Sequence, residues 1–422
     1  MKRDIELCSV LWYYNLTREE AITVRYSIEM KDEVDGDALR KALDTTVQRY
    51  PYLMDRVVET ATGYYLESND LPVTLINSND PIPLCGKAAN YHQLALSYWK
   101  NTIIFNNTHS IFDGRGRGPF LHTLIYYYCK FRYNEEVDMP GVKLADSPVD
   151  PREYEDPYSR ELKKGKFVIS RFGTPEPVFR IDEAGLVSIS EPQTHRIRIS
   201  ENAMMQLCKT NDGSPNTAIG LIMSRAITRM HPDAQYPVVC GVYCDLRSAL
   251  DVPLTHHSLV TTLHLKYDKR MKDLDFSEQN TIWRGMIMLM SDPENLIVGQ
   301  EAQKAGCESI SRMSTLQEKT TAATTAMKGL FHSHTFLLSY SGKSNFGSCD
   351  KHISALYSEP YAKDFGMLIE VTAIDGWFDI AIAQEWKEDI YFDAFLKELS
   401  SLGLEYDILY SGQNLPAEFN PD

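Results

Sequence analysis

The stretch NNTHSIFDGRGRGPFLH, residues 106–122, sets a histidine and a carboxylate before an apolar run. His109 is followed four residues later by Asp113, and Gly114 then allows a tight backbone turn. A histidine with a pKa near neutral can take a proton from a hydroxyl or an amine as that group attacks a carbonyl. HxxxD also arises often by chance. The pair therefore indicates general-base catalysis only if other segments of the sequence point to the same function.

The residues around this stretch predict a strand, a loop and a helix. Residues 101–106 (NTIIFN) are rich in strand-forming residues and lead straight into His109. Pro119 then opens the apolar and aromatic run FLHTLIYYYCKF, and proline favours the first turn of a helix. His109 is therefore predicted to lie in a loop between a strand and a helix that begins near Pro119.

Strand-like and helix-like segments alternate in both halves of the chain. Residues 21–30 alternate apolar and polar side chains, as a half-buried strand does, and Asp35 then caps a helical stretch. In the second half, strands are predicted at residues 195–199, 238–243, 264–267, 336–340, 367–372 and 378–383, and helices at residues 202–207, 217–230 and 390–402. This order predicts an α/β protein with two similar lobes.

A proline-rich segment of mixed charge separates the two halves. Five prolines fall between Asp146 and Pro177, a composition typical of a crossover linker. We expect an N-terminal lobe over residues 1–165, a linker over residues 166–190 and a C-terminal lobe over residues 191–422.

Length, charge and hydropathy exclude several classes of function. The 422 residues are 43% hydrophobic and 24% charged, which is typical of a globular protein with a large core. The net charge of −15 disfavours non-specific binding to nucleic acids or to anionic membranes. Since no apolar run reaches the roughly 18 residues that a membrane span needs, we expect no transmembrane helix.

Cysteine and histidine spacing argues against disulfides and metal sites. The eight cysteines are scattered without a CxxC pair, so we expect reduced thiols and a cytoplasmic protein. His256 and His257 are adjacent, and His332 and His334 alternate on a strand-like segment, but neither pair has a third ligand at a usual spacing. We therefore expect no metal.

Four segments together carry a resemblance to a known superfamily. They are DGDALRKALDTTVQRYPYLMDRVVE (35–59), NTHSIFDGRGRGPFLHTL (107–124), VYCDLRSAL (242–250) and LLSYSGKSNFG (337–347). In this order they resemble the chloramphenicol-acetyltransferase-like, CoA-dependent acyltransferases. That group includes peptide-synthetase condensation domains, alcohol acetyltransferases and polyketide-associated acyltransferases.

The resemblance implies a fold and a catalytic loop. The fold would be two lobes, each a mixed sheet with helices, that meet at a central tunnel. His109 would be the general base midway along it. Asp113 would point away from the substrates and brace the loop by an ion pair with Arg247, and Gly114 would complete the HxxxDG motif.

Further residues are implied for the oxyanion and for the acyl donor. Donors to the oxyanion would come from the Gly114 backbone N–H or from Ser341, Ser344 and Asn345, although serine and asparagine near glycines are usually turn formers. The phosphates of CoA or of a carrier-bound pantetheine could contact Arg115, Arg117 and Lys343. The alternative for the two arginines is a solvated pair at a helix start.

The sequence thus predicts transfer of an acyl group from a CoA or carrier-protein thioester to a hydroxyl or amine, without an acyl-enzyme. Acyl-CoA or acyl-phosphopantetheine would be a co-substrate, and no permanently bound cofactor is expected. One alternative is a stand-alone condensation enzyme that uses carrier-bound substrates; Thr108 disfavours it, because condensation domains usually carry a second histidine there. A second alternative is a non-catalytic docking module that retains the fold. A monomer is the expected state, since both lobes lie in one chain.

Overall fold

The computed structural model describes residues 2–18, 21–163, 177–181, 185–340, 342–413 and 419–420. The strands are β1 (Lys2–Asp4), β2 (Thr23–Met30), β3 (Arg56–Thr60), β4 (Gly63–Glu67), β5 (Leu75–Asn77), β6 (Leu94–Trp99), β7 (Thr102–Thr108), β8 (Ser188–Ser200), β9 (Val238–Asp245), β10 (Val260–Tyr267), β11 (Phe336–Tyr340), β12 (Ile353–Tyr361), β13 (Met367–Ile374), β14 (Trp377–Trp386) and β15 (Asp407–Gln413). The helices are α1 (Val10–Tyr14), α2 (Gly36–Val47), α3 (Gly114–Tyr133), α4 (Glu201–Thr210), α5 (Pro215–Met230), α6 (Arg247–Leu250), α7 (Lys269–Lys272), α8 (Phe276–Met290), α9 (Pro293–Leu296), α10 (Gln300–Ser311), α11 (Leu316–Phe331) and α12 (Ile390–Ser401). The predicted mixed α/β fold is confirmed.

Within the described ranges the strands form three sheets. A five-stranded sheet has the order β12-β2-β7-β6-β5, and a seven-stranded sheet has the order β10-β9-β11-β13-β14-β8-β15. A third, small sheet, β1-β4-β3, is formed by strands of the N-terminal half. Both large sheets combine parallel and antiparallel pairs. Helices α2 and α3 pack together in the core beside the five-stranded sheet, and α5 packs with α12 on the seven-stranded one.

One strand from the C-terminal half belongs to the N-terminal sheet. β12 pairs antiparallel with β2 from Ile353 opposite Met30 to Tyr361 opposite Thr23. The chain therefore crosses between the two sheets after β11 and returns at β13. Within the predicted linker over residues 166–190, the structure describes residues 177–181 and 185–190, and β8 begins inside it at Ser188.

Along the central strands, alternate side chains point into the hydrophobic core and into a cavity. On β11, Phe336 and Leu338 are buried in the larger hydrophobic core, whereas Leu337 and Ser339 line a cavity. On β13, Glu370 lies on the cavity side. The space between the two large sheets is thus lined by alternate residues of their strands.

Three local predictions differ from the structure. Helix α3 begins at Gly114 rather than near Pro119, because the Asp113 carboxylate caps it by accepting from the Gly116 N–H at 2.7 Å. His332 and His334 do not alternate on a strand: the first ends α11 and the second precedes β11. The helices over residues 276–331 were not predicted.

The helical block was missed because its outer residues hide the periodicity. Ile282, Met288 and Leu289 of α8 are apolar but exposed, so the apolar residues do not trace a single face. Among the described residues, no helix is both long enough and apolar enough to cross a bilayer.

Candidate active site

A cavity of about 960 Å³ lies between the two large sheets. Its wall combines the N-terminal half, through α1, β2 and the start of α3, with the C-terminal half, through β9, β10, β11 and β13. His109, Asp113 and Gly114 line this cavity, as do Arg247, Arg115, Arg117, Lys343, Ser344 and Asn345. The structure therefore brings together, at one cavity, every predicted site residue that it describes. Ser341 lies outside the described residues.

His109 follows directly after β7 and is fixed on two sides. Its backbone N–H donates to the Ile22 carbonyl at 2.8 Å, which extends the β2–β7 pairing to the histidine. Its ring stacks on the Trp12 indole of α1, with the ring centroids 4.4 Å apart and the planes 18° apart. The ring is therefore positioned by packing and lies partly buried at the cavity wall.

The hydroxyl of Ser258 determines which ring nitrogen of His109 is basic. Ser258 Oγ donates its hydrogen to the His109 carbonyl oxygen at 2.7 Å and lies 3.2 Å from His109 Nδ1. Since the hydroxyl hydrogen is already used, Nδ1 must carry the proton in this contact and donate it to Oγ. The lone pair then resides on Nε2, the nitrogen that can act as a base.

Burial keeps the His109 imidazole neutral. Removal of water lowers the pKa of His109 to about 4, and the positive charge of Arg117 acts in the same direction. The carboxylate of Asp113 opposes the shift without reversing it. At neutral pH the ring is a free base, and a proton that it accepts is stabilised by Asp113.

Asp113 points away from the imidazole and into an ion pair. Arg247 Nη2 donates to Asp113 Oδ1 at 2.8 Å, and Arg247 Nη1 donates to Oδ2 at 2.9 Å, with both side chains only 3% exposed. The Leu259 N–H donates to the same carboxylate at 2.9 Å. Burial alone would raise the pKa of Asp113, but the charge and hydrogen bonds of Arg247 hold it below its usual value. Asp113 is therefore ionised, and both of its carboxylate oxygens accept hydrogen bonds.

The same arginine fixes the segment that carries Ser258. Arg247 donates to the carbonyl oxygens of Thr255 and His257, at 3.0 and 2.8 Å. The backbone of His256 packs so closely against α3 that a Cβ at Gly116 would clash with the His256 carbonyl. Only glycine allows this approach, so Gly116 lets the C-terminal segment reach the histidine loop.

The predicted oxyanion donors differ in their availability. Asn345 uses its side-chain oxygen to accept from the Gly347 N–H at 2.8 Å, as a turn former does. Ser344 hydrogen-bonds to the Tyr26 hydroxyl. Gly114 begins α3, and a Cβ built there meets no atom within 4 Å, so its backbone borders open space at a helix N-terminus.

The three predicted phosphate-binding residues lie in different environments. Arg115 is 69% exposed and pairs with Asp245 at 3.4 Å, and Lys343 pairs with Glu201 at 2.7 Å. Arg117 is buried at 6% exposure. The solvated-pair alternative is therefore wrong for Arg117. Two residues along a helix correspond to a rotation of about 200°, so Arg115 faces outward and Arg117 inward.

Sequence reasoning missed three residues of this site. Trp12 and Ser258 lie in segments without a motif, and only the fold brings them to His109. Glu370 carries a visible signal, since it is a charged residue inside the apolar strand pattern MLIEVTAI. A carboxylate in such a strand is costly to bury without a partner, which marks it as a candidate functional group.

No family model matches the chain, and no curated protein matches it. Solved structures do. Polyketide synthase associated protein 5 from Mycobacterium tuberculosis aligns at 14% identity over 95% of this chain and 97% of its own, with a TM-score of 0.60. TRI101 of F. sporotrichioides, complexed with Coenzyme A and T-2, aligns at 12% identity over 97% and 100%, with a TM-score of 0.60.

The epimerization domain from the third module of tyrocidine synthetase B aligns at 12% identity over 95% of this chain and 96% of its own, with a TM-score of 0.58. At such identities the similarity establishes the fold, and it covers nearly the whole chain in each case. The chain has the two-lobed chloramphenicol-acetyltransferase-like fold that condensation domains share.

Proposed function

We propose that the protein transfers an acyl group from a CoA thioester to a hydroxyl or an amine, with His109 as the general base. The observation that carries the proposal is the state of His109. Its ring is neutral and held by Trp12 and Ser258, its Nδ1 is engaged, and it borders a cavity of about 960 Å³.

The reaction needs only proton transfer and one displacement. Nε2 of His109 takes the proton of the acceptor as its oxygen or nitrogen attacks the thioester carbonyl carbon. The tetrahedral oxyanion collapses, the carbon–sulfur bond breaks, and the thiolate takes the proton back from Nε2. The base is regenerated, and no acyl-enzyme forms.

Gly114 is the proposed donor to the oxyanion. The open space beside its backbone leaves room for a substrate atom, and the N-terminus of the 20-residue helix α3 is the positive end of its dipole. Ser344 is a second proposed donor, because its hydroxyl lies at the cavity wall beside Tyr26.

Asp113, Arg247 and Ser258 are proposed as positioning residues. Asp113 contacts Arg247 and backbone N–H groups rather than the His109 ring. It caps α3 at the end of the histidine loop, and its pair with Arg247 supports the segment that presents Ser258. The loop geometry thus depends on these residues, whereas the proton moves only at His109.

The comparisons support a CoA donor for this proposal. TRI101 is complexed with Coenzyme A, and its fold spans the same length as this chain. A carrier-bound donor is the second candidate, supported by the similarity to a condensation domain of the enacyloxin polyketide synthase, at 12% identity and a TM-score of 0.54. Thr108, in place of a second histidine, favours the CoA donor.

Arg115 and Lys343 remain the proposed contacts for the donor's phosphates. Both line the cavity and are exposed, and their acidic partners Asp245 and Glu201 would exchange for a phosphate. The docking-module alternative is less well supported, because the cavity beside His109 is open rather than filled by side chains.

Thiol release from acyl-CoAs tests the proposal. Acetyl- to long-chain acyl-CoAs are offered with pooled alcohols and amines to the wild type and to His109→Ala. We expect release that depends on both an acceptor and His109. If wild type and His109→Ala release thiol equally, His109 is not the base. If no acyl-CoA reacts but an acyl-carrier protein does, the donor is carrier-bound.

A further inference from the structure

A second polar cluster lines the same cavity, and none of its side chains is assigned a contact with the thioester or with the attacking group in the proposed reaction. It consists of Arg117, Glu370, Tyr26, Ser339 and Ser358, and we call it the Arg117 cluster. All five side chains border the cavity that contains His109. A tunnel for apolar acyl chains alone has no need of a buried cation beside a partly buried carboxyl group.

The two large sheets and α3 build this cluster jointly. Glu370 of β13 lies in register with Ser339 of β11, within the seven-stranded sheet. Tyr26 of β2 lies in register with Ser358 of β12, within the five-stranded sheet. The Arg117 guanidinium, carried by α3, lies 4.3 Å above the Tyr26 ring. The crossing of β12 into the N-terminal sheet is what brings these groups together.

Arg117 is a buried cation that lacks a close counter-ion. It is 6% exposed, and its buried Nε has no hydrogen-bond partner. Within the part of the chain that the structure describes, Arg117 forms no ion pair, although the carboxyl groups of Glu370 and Asp113 are near enough to influence its charge. The Asp113 carboxylate is already bound by Arg247. A buried guanidinium is normally matched by an anion in a planar, two-point contact. The ring of Tyr26 supplies only part of that compensation.

Glu370 does not supply the missing charge at neutral pH. Burial raises the pKa of its carboxyl group to about 8, although hydrogen bonds from Ser339 and Ser358 and the charge of Arg117 act against the shift. The acid form predominates at pH 7 and can donate a hydrogen bond. The cluster therefore presents one positive charge surrounded by O–H groups, which suits an incoming anion.

We propose that the Arg117 cluster binds a carboxylate of the substrate, with Arg117 as its counter-ion and the hydroxyls of Tyr26, Ser339 and Ser358 beside it. The inference rests on the proposed function, because it adds the class of substrate for that site. The carboxylate belongs either to the acyl group, as in a dicarboxylic acyl-CoA, or to the acceptor, as in a hydroxy or amino acid. A phosphate monoester fits less well, since its nearly two charges call for more than one cation.

Binding to a protein that cannot turn over tests the cluster independently of catalysis. Calorimetry on His109→Ala compares malonyl-CoA with acetyl-CoA for the acyl source. With CoA present, it compares 3-hydroxybutyrate with its methyl ester for the acceptor source. We expect at least one carboxylate ligand to bind about 10-fold or more tightly than its neutral partner. Adding Arg117→Met should remove that preference, and Arg117→Lys should retain part of it.

Lys130→Met is the matched control, because Lys130 is an exposed cation on the same helix. It should leave the preference unchanged, and thermal melting of each variant shows that the protein remains folded. Equal binding of the carboxylate and neutral members of both pairs would overturn the carboxylate site alone. A preference that survives Arg117→Met in a folded protein would overturn it as well. Failure of both CoA esters to bind would instead contradict the proposed function.

Discussion

Asp113 and Arg247, 134 residues apart in sequence, form a buried two-point ion pair that joins the start of α3 to the turn after β9. The Asp113 carboxylate is bound to Arg247 rather than to the His109 ring. Arg247 also binds the backbone on either side of His256, so one arginine connects the two halves of the chain at the cavity. We propose that the position of the histidine loop depends on this connection.

Breaking the pair from either side should be costly for stability. Asp113→Ala leaves a buried guanidinium without its carboxylate, and Arg247→Ala leaves a buried carboxylate. Each is expected to lower the free energy of unfolding by about 3–5 kcal/mol. In urea titrations the double variant should lose clearly less than the sum of the two single losses. Asp44→Ala, which removes an exposed pair with Arg40 on α2, should change stability by less than about 1 kcal/mol. Additive losses would show that the two residues act separately.

The loss caused by Asp113→Asn should depend on pH in a defined direction. The folded-state pKa of Asp113 is lowered, so its stabilisation is fully present above the unfolded-state pKa of about 3.9 and disappears as the pH falls through the folded value. The stability difference between wild type and Asp113→Asn should be largest near pH 7 and shrink below about pH 4. If the stability difference stays constant with pH, the loss would come from altered packing of the asparagine side chain rather than from the lost carboxylate charge.

Two glycines of the motif should respond oppositely to the same substitution. A Cβ at Gly116 would clash with the His256 carbonyl oxygen, whereas a Cβ at Gly114 meets no atom within 4 Å. Gly116→Ala is expected to lower the free energy of unfolding by several kcal/mol despite the better helix propensity of alanine, roughly 1 kcal/mol. Gly114→Ala should be neutral or slightly stabilising. Equal stability of the two variants would mean that the segment at His256 can move away at little cost.

Ser258→Ala should reduce activity without unfolding the protein. The variant removes the acceptor for the His109 Nδ1–H and lets the ring change tautomer or orientation. We expect kcat to fall roughly 10-fold, equivalent to one lost hydrogen bond, with the melting temperature little changed. Ser258→Thr retains the hydroxyl and should recover most of the rate. A loss of the same size in both variants would point to altered packing instead.

Most of the secondary structure and the identity of the histidine loop could be predicted from the sequence. The strand predicted at residues 336–340 coincides with β11, because a short run of apolar and aromatic residues is a local property of the sequence. The start of α3 was misplaced, since Pro119 is a strong local signal for the start of a helix, although Asp113, five residues after β7, is the residue that caps it. Arg247 itself was named through a family resemblance, because nothing local connects residues so far apart.

The remaining parts of the site depend on tertiary contacts. Trp12 reaches His109 from a short N-terminal helix, and Ser258 reaches it from an irregular segment before β10. Neither the contact of Arg117 with Tyr26 nor the burial of Arg117 could be foreseen, because the contact joins α3 to β2, which lie far apart in sequence. Local sequence identifies candidate site residues, whereas the contacts and burial of their side chains are set by the packing of the two large sheets.

The environment of His109 predicts the acidic limb of the pH–rate profile. The proposed general base, His109, must be unprotonated to act, so activity should fall as the pH drops through its pKa, which burial lowers to about 4. We expect kcat/KM to be level from about pH 6 to 8 and to decline only near pH 4, with circular dichroism confirming that the fold persists. Removing the stacked indole in Trp12→Ala admits water to the ring, so the limb should move toward the ordinary histidine value of about 6.5. If the activity of the wild type already declines near pH 6.5, and Trp12→Ala does not change that pH, then His109 is exposed to water in the free enzyme.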